Sequence, residues 1–404
     1  MVENNSEFPK GSLINEIDFS KRREFPGENG NVLDVILRKL NRIEAIPPGI
    51  FAVILLFIAI VPTFGKWELT TGLWGFFILD WLLLSSLPKF NISYGPSQPP
   101  VFLLAIPRAL AAFFPLHFAL AFQLAGTFLV IYGFFLEPSK IVVTIQSLES
   151  PKLTEKKPLR LLHLGDLHIE HITSREIELN RQIKTLKPDV IVFSGDVLNL
   201  SYLNDKTSWH DARKVISEWE APLGVFSVSG SPAVDLEEIM PELMQGLPLH
   251  WLRNEKITLN WHGDSIDLIG LNCSHRPHID SLMLSSLAEP DNNRLSILLY
   301  HTPDLAPASA RVGIDLQLSG HTHGGQVRLP WYGALLSGSL YGKLFESGRH
   351  MLGKMTLYVT RGIGMEGEGA PRVRFLCPPE IILWEISACG RNKLDQVRLS
   401  TSLE

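Results

Sequence analysis

Apolar positions follow three different rules along this chain. Between residues 45 and 136 they run almost unbroken. "GIFAVILLFIAIVPTFG", from Gly49, carries no charge. A membrane span takes roughly 20 apolar residues, with about 17 as the lower limit, so this run is just long enough. "LTTGLWGFFILDWLLLSSL", Leu69 to Leu87, is a second candidate. The stretch from Pro100 to Phe135 is about twice the length of one span. It reads either as two short spans in a hairpin, or as an interfacial segment to Phe114 followed by one span. Trp67, Trp74, Trp81 and Tyr132 lie within or near the ends of these runs, as interfacial aromatics do. Three to four apolar segments are therefore expected over 45–136.

Beyond residue 137 the pattern becomes short apolar runs that end in polar residues. "LRLLHLGDLH" is one, and "PDVIVFSGDVLNL" repeats it after a charged helical stretch, Ser174 to Leu186. "GVFSVSG" repeats it again after a second helical stretch, Trp209 to Trp219. Strand, loop, helix, strand is the βαβ pattern of a mostly parallel sheet. The second half is a series of short strands with few helices: "KITLNW", "SIDLIGLN", "RLSILLYH", "DLQLSGH", "GQVRLP", "TLYVTRG" and "EIILWEI". Two packed sheets with helices outside are the expected α/β architecture.

The first 44 residues follow neither rule. They are polar and mixed in charge, with no short apolar run at the extreme N-terminus, which argues against a cleavable signal peptide. Only "VLDVILRKLNRI", Val32 to Ile43, has helical spacing. It reads as an amphipathic helix on a membrane surface or as a short surface helix leading into the first span. The chain thus divides into a partly flexible segment (1–44), a transmembrane region (45–136), a globular domain (137–390) and a tail (391–404).

Charge refines this picture. Asp80 lies near the middle of the second apolar run, and Arg108 is the only full charge between Pro100 and Phe135. Charges in a span are costly unless they face other helices or each other, so the two can pair in the interior. Arg38, Lys39 and Arg42 beside the first span favour a cytoplasmic N-terminus. An even number of spans then leaves the globular domain on that side, and an odd number the other. The side, the span count and the oligomeric state stay open. A net charge of −5 over 404 residues gives no footprint for nucleic acid. Cys273, Cys377 and Cys389 are odd in number and far apart, so they fit neither a disulfide framework nor a cysteine metal site.

In open α/β sheets, ligands gather beyond the C-terminal ends of strands. The residues found at those ends are Asp166 and His168, Asp196, His301, and His321 with His323 in "SGHTHGG". Carboxylates and imidazoles suit Mn, Fe or Zn. One carboxylate can bridge two such ions, which then clamp a phosphoester and activate water. Each piece alone is weak, but all of them at strand ends in this order form a strong signal.

At these residues the chain resembles the calcineurin-like metallophosphoesterase family, in its membrane-anchored branch of UDP-2,3-diacylglucosamine pyrophosphatase-like phosphohydrolases. "GDLH", "SGDVLN", "LLYHTPD", "SGHTHGGQVRLP" and "LYVTRGIG" followed by "RFLCPPEI" carry the likeness, over roughly Leu159 to Glu385. The resemblance implies a four-layer sandwich of two mixed sheets flanked by helices. It implies that Asp166, His168, Asp196 and His323 hold one divalent ion, and that Asp196, His301 and His321 hold a second. It implies catalysis by Asp196, His321 and His323 through attack of a metal-activated water.

The family's Gly-Asn-His-Asp segment reads Gly230-Ser231-Pro232-Ala233 here. Ser231 replaces a metal-binding Asn, and Pro232 replaces a His that can protonate the leaving group. Ser231, through its hydroxyl, and Asp235 are the possible substitute ligands. Asp235 reads more readily as the N-cap of a helix over "LEEIMPELM". The departure weakens the second metal site most. Arg361 is a possible phosphate contact, since guanidinium pairs well with phosphate oxygens, or a surface loop residue. His275 and His278 could line the substrate path. His171 reads as the cleft edge or a solvated loop.

The resulting expectation is a membrane-anchored, metal-dependent phosphohydrolase. It would cleave a phosphodiester or pyrophosphate in a phosphorylated or lipid-linked substrate beside the bilayer. Two other readings stand next to it. One is a catalytically impaired sensor or scaffold, suggested by Ser231-Pro232. The other is a transporter with a regulatory domain, to which one internal carboxylate lends little support.

Overall fold

The computed structural model describes residue 36, residues 39–288 and residues 293–389. Half of the Val32–Ile43 segment, and the 391–404 tail, lie outside these residues. The apolar region folds as four helices: α1 (Pro48–Thr63), α2 (Trp67–Ser86), α3 (Gln98–Ala111) and α4 (Leu116–Ile131). The Pro100–Phe135 stretch is therefore a helical hairpin, with its turn at Ala112–Pro115. Phe64 and Phe113 meet edge to face at 6.2 Å, so the α1–α2 and α3–α4 turns lie together at one end. Two stretches, Trp67–Phe90 and Leu116–Ser139, are long and apolar enough to cross a membrane. Phe57, Val61, Phe118, Leu120, Leu124 and Phe128 point outward into surroundings the bundle itself does not fill.

Inside the bundle sits one polar cluster. Asp80 and Arg108 are both buried and form an ion pair. The guanidinium also donates to the Gln123 side-chain and main-chain carbonyls, both at 2.8 Å, and to Thr127 Oγ1 at 3.0 Å. Thr127 Oγ1 in turn donates to Asp80 Oδ1 at 2.8 Å. The pairing expected from sequence therefore joins α2, α3 and α4, with its charges shared among several hydrogen bonds.

The globular domain has two six-stranded sheets. The first runs in the order β1 (Val142–Ser150), β14 (Glu380–Ala388), β2 (Leu159–Leu164), β3 (Val190–Phe193), β4 (Val225–Ser227), β5 (His250–Trp251). Only the β14–β2 pair is antiparallel. The second runs β12 (Gly348–Leu352), β13 (Met355–Val359), β9 (Leu316–Ser319), β8 (Leu295–Leu299), β7 (Asp264–Gly270), β6 (Glu255–Trp261). Its edge pairs are antiparallel and its centre is parallel.

Strand periodicity explains the layers, because successive side chains point to opposite faces. Leu159 and Leu161 of β2, Val190 and Val192 of β3, and Ile382 and Trp384 of β14 face the second sheet. There they meet Ile266, Leu268, Ile297 and Leu316. Leu162, Leu164, Ile191 and Phe193 face the other way, onto the helices α5 (Ser174–Leu186) and α6 (Lys206–Ile216). Further helices, α8 (Pro277–Leu287) and α9 (Ala306–Arg311), cover the second sheet. A short α7 (Met240–Met244) packs with α5 and α6 on the first sheet, so the four-layer α/β sandwich is observed. Two details differ from the sequence reading. "GQVRLP" contributes β10 (Arg328–Leu329) to a separate hairpin with β11 (Gly333–Ala334) and is in neither large sheet. The edge strand β12 went unread, because Gly348 to Leu352 shows no apolar run.

The bundle docks on the end of the domain where the parallel strands finish. Glu170 accepts from Tyr94 N at 2.8 Å and from Arg372 Nε at 2.6 Å. Tyr202 donates to the Tyr94 carbonyl at 2.8 Å, and Arg374 N to the Gly133 carbonyl at 2.9 Å. A side chain at Gly95 would press within 2.2 Å of Arg372, so the two parts fit closely here.

Removing one partner of a buried ion pair costs about 3–5 kcal/mol, because the other charge is left uncompensated. Asp80→Ala should therefore lower the thermal stability of the detergent-solubilised chain by an amount of that order. Asp80→Asn combined with Arg108→Gln should recover most of the loss. Equal melting of wild type and Asp80→Ala would show that the cluster carries no stability.

Candidate metal centre

The loops after β2, β3, β4, β8 and β9 converge on one point between the sheets. They do so in unusual backbone conformations. Asp166, His168, Asp196, His321 and His323 all have positive φ, between 41° and 72°. Non-glycine residues adopt this region at a cost and hold it only where their surroundings over-determine it. Neighbouring glycines make room. A Cβ at Gly320 would lie 2.6 Å from Asp166 Oδ1, and one at Gly230 would lie 2.1 Å from Asp196 Oδ1.

The side chains gather in two groups. Asp166, His168 and His323 present nitrogen or oxygen atoms within 4.8 Å of one another, and so do Asp196, His301 and His321. Asp196 lies between the groups: its Oδ2 is 3.4 Å from His168 Nε2 and 3.2 Å from His301 Nε2. His168 Nε2 and His323 Nε2 face each other at 3.0 Å. All six residues predicted as metal ligands are thus brought together.

This donor set fits divalent cations. The Oδ2 of Asp166 is buried and accepts no hydrogen bond. His301 Nδ1 donates to the Ser194 carbonyl at 2.8 Å, which turns Nε2 toward Asp196. Fixing one ring nitrogen in this way is how proteins prepare the other for a metal. Burial pushes His321 and His323 well below the usual imidazole range, so both rings are neutral donors. Burial opposes the charge on His301 too, but the Asp196 carboxylate outweighs it and lifts that ring to about 9. Burial, with Asp196 beside it, raises Asp166 to about 6. Anions and imidazoles this crowded and this deep are the environment a bound cation relieves.

Ser231 occupies the second group. Its hydroxyl lies 3.0 Å from His301 Nε2, 3.3 Å from His321 Nδ1 and 3.4 Å from Asp196 Oδ2. Asp235 does something neither sequence reading gave it. Its carboxylate accepts from the backbone N–H groups of Gly230 at 2.6 Å, Asp196 at 2.9 Å and Val197 at 3.0 Å. Both oxygens are turned to main chain, so it is no ligand here. It caps no helix either: α7 starts at Met240 behind Ile239.

Arg361 also departs from expectation. Its Nη2 pairs with Glu380 Oε1 at 3.0 Å, and its stem lies behind Gly324. The guanidinium is held by Glu380 and does not reach the cavity, which corrects its reading as a phosphate contact. His275 does line the cavity, with its ring 5.0 Å from that of His321. Its pKa falls to about 4 through burial, so the ring is neutral. His278 is not among the lining residues. His171 packs its ring at 4.6 Å from Tyr94, where the bundle meets the domain.

Two residues went unread in the sequence. Glu366 lines the cavity, 4.0 Å from His323 Nε2, and nothing in "GMEGEG" signals it. Arg374 is fully buried and donates to the carbonyls of Arg361 (2.8 Å), Gly362 and Cys377 (both 3.3 Å) and His323 (3.4 Å), and to that of Gly364. It binds the 361–364 loop against the ligand loops. An arginine at the head of the apolar "RFLC" was the available signal. The cavity beside the centre has a volume of about 300 Å³. Asp196, Ser231, His321 and His323 line one part of it, and Leu200, Val327, Leu336 and Val373 give it an apolar wall.

Comparison with known proteins agrees with this geometry. The calcineurin-like phosphoesterase profile matches residues 159–325. The uncharacterized metallophosphoesterase YkuE of Bacillus subtilis (strain 168) is 30% identical over 272 residues, covering 64% of this chain and 89% of that protein. The UDP-2,3-diacylglucosamine pyrophosphatase LpxG of Chlamydia muridarum is 24% identical, covering 61% and 90%. The phosphodiesterase YaeI of Escherichia coli (strain K12) is 24% identical, covering 57% and 82%. A likeness that runs nearly the whole length of such relatives goes beyond shared architecture: the chain belongs to the calcineurin-like phosphoesterase family and is a hydrolase acting on phosphoester bonds.

Proposed function

We propose that this protein is an integral membrane phosphohydrolase that cleaves a phosphodiester or pyrophosphate bond in a lipid-linked substrate. The observation that carries the proposal is the convergence of six potential ligand residues, five buried and His321 half-buried, in two groups around Asp196, beside a cavity with one apolar wall. Asp166, His168, Asp196 and His323 would hold one divalent ion of Mn, Fe or Zn character. Asp196, His301 and His321 would hold the other, with the Ser231 hydroxyl as an available neutral oxygen. When bound, such ions supply Lewis acidity to the phosphoryl oxygens and lower the pKa of a water. The chain's own residues do the rest. Asp235 fixes the Asp196 loop, Ser194 sets the His301 ring, and Arg374 keeps the 361–364 loop against Asp166.

Pro232 brings no proton donor to the leaving group. General acid catalysis is typically worth about 10²–10⁴-fold. A nucleoside phosphate leaving from a pyrophosphate needs that help least. The pyrophosphatase relative supports the same class. The four helices alternate in direction, so the N-terminal segment and the catalytic domain share one side of the bilayer. Arg38, Lys39 and Arg42 favour the cytoplasmic side. Helices α1 and α3 rise only about 24 and 21 Å at 1.5 Å per residue, which suits a locally thinned bilayer.

Three substitutions test this reading in the full-length chain. Asp196→Asn should abolish manganese-dependent hydrolysis of bis-p-nitrophenyl phosphate. Turnover equal to wild type would sink the bridging role, and an inert wild type would favour the sensor or scaffold reading. Ser231→Ala should weaken metal binding about 10–100-fold, the usual cost of losing a group beside the ligands, as measured by metal titration. Gly230→Ala should reduce metal content per chain, because its methyl group would overlap Asp196. Full occupancy in that variant would show that the loop can move aside.

A further inference from the structure

The β10–β11 hairpin and its flanks form an exposed apolar feature of the globular domain. Trp331 at its tip is fully exposed, Tyr332 is 58% exposed and Leu336 62% exposed. Leu329 and Leu335 add to the same surface. A loop of this composition facing water is unfavourable, and exposed patches of this kind mark interaction sites. Tryptophan and tyrosine beside leucine are the residues that settle at a membrane–water boundary.

Its placement says what covers it. Arg328 N donates to the Phe375 carbonyl at 2.9 Å, and Val327 bridges to Phe375. The Phe375 ring meets Tyr132, at the end of α4, at 5.9 Å. The next residues lie against the same helix end: Leu376 N and Cys377 N donate to Glu137 at 2.8 Å. Leu136 and Leu376, both exposed, extend the apolar surface from the bundle toward the hairpin. The hairpin is therefore tied to the level at which the helical bundle meets the domain. Leu335 and Leu336 line the cavity on one side, and Val373 lines it while also packing on the bundle core.

We propose that the Arg328–Ala334 hairpin is an interfacial anchor. It inserts into the bilayer leaflet beside the helical bundle, so that the cavity at the metal centre opens into membrane lipid. This rests on the bundle being membrane-embedded. The occupant is lipid: Trp331 and Tyr332 sit at headgroup depth, and the apolar wall receives the chain of the substrate.

The test reads depth directly. In the full chain with Cys389→Ser, which removes the exposed thiol and leaves the buried Cys273 and Cys377, an environment-sensitive fluorophore is placed at one of three positions. Trp331→Cys reports the hairpin tip. Leu120→Cys reports the outer face of α4. Lys156→Cys reports an exposed site at the opposite end of the sheets. Each protein is reconstituted into phosphatidylcholine vesicles with and without phosphatidylcholine carrying an acyl-chain nitroxide. Loss of fluorescence at 331 and at 120, with none at 156, is the expected result. Loss at 120 with position 331 behaving like 156 overturns the anchor and leaves the membrane reading intact. No loss at 120 overturns both. The tip ring packs on nothing, so Trp331→Cys removes no folding contact, and Tyr332→Cys provides a second label in the same loop.

Discussion

The Asp235 carboxylate hydrogen-bonds to main chain alone, yet the geometry of the candidate centre depends on it. By accepting the N–H groups of Gly230, Asp196 and Val197 it ties the loop after β3 to the loop after β4. Those loops bring in Asp196 and Ser231. Asp196 stands in the left-handed region, a conformation that costs of order 1–3 kcal/mol for such a residue. Three hydrogen bonds to a buried acceptor are the kind of restraint that holds it there. Gly195 and Gly230 pack back to back beneath, so neither loop can relax without the other.

Much of this was legible in the sequence because each signal was local. Apolar runs ending in Asp or His predicted both the parallel strands and the residues at their ends. Asp80 and Arg108 found each other because isolated charges in apolar surroundings have few other solutions. The failures share a different cause. Asp235 reads as a helix cap until the main chain of two distant loops is folded over it. Arg361 reads as a free guanidinium until Glu380, 19 residues later, is brought beside it. Arg374 is a structural cation only because the carbonyls of five residues, brought together from separate loops, surround it. No periodicity encodes such contacts, since they depend on the assembled loops.

The Ser231-Pro232 replacement acquires a physical meaning once it is placed. The serine stays on the spot between Asp196, His301 and His321, whereas the proline beside it is exposed. A neutral oxygen is retained where a cation would need one, and proton donation is what has gone. Under the proposed function, that combination would narrow the choice of substrate more than it would impair metal binding. The docking of the bundle on the same end of the sheets would narrow it further. Glu170, close to the ligand His168 in sequence, is gripped by Tyr94 from the apolar region and by Arg372 from the last loop.

The strand that leaves the bundle, β1, pairs along its whole length with β14, from Val142 beside Glu380 to Ser150 beside Ala388. This has a consequence for biosynthesis. The first strand made has no partner in its sheet until the last is made, and such non-local pairing is slow to form. At ordinary synthesis rates the delay is on the order of tens of seconds. If the helices span a bilayer as proposed, they can settle in it during that interval, with the ribosome still attached and the sandwich still open. A membrane hydrolase of the proposed kind, built in this order, would be at its membrane before its catalytic domain can close.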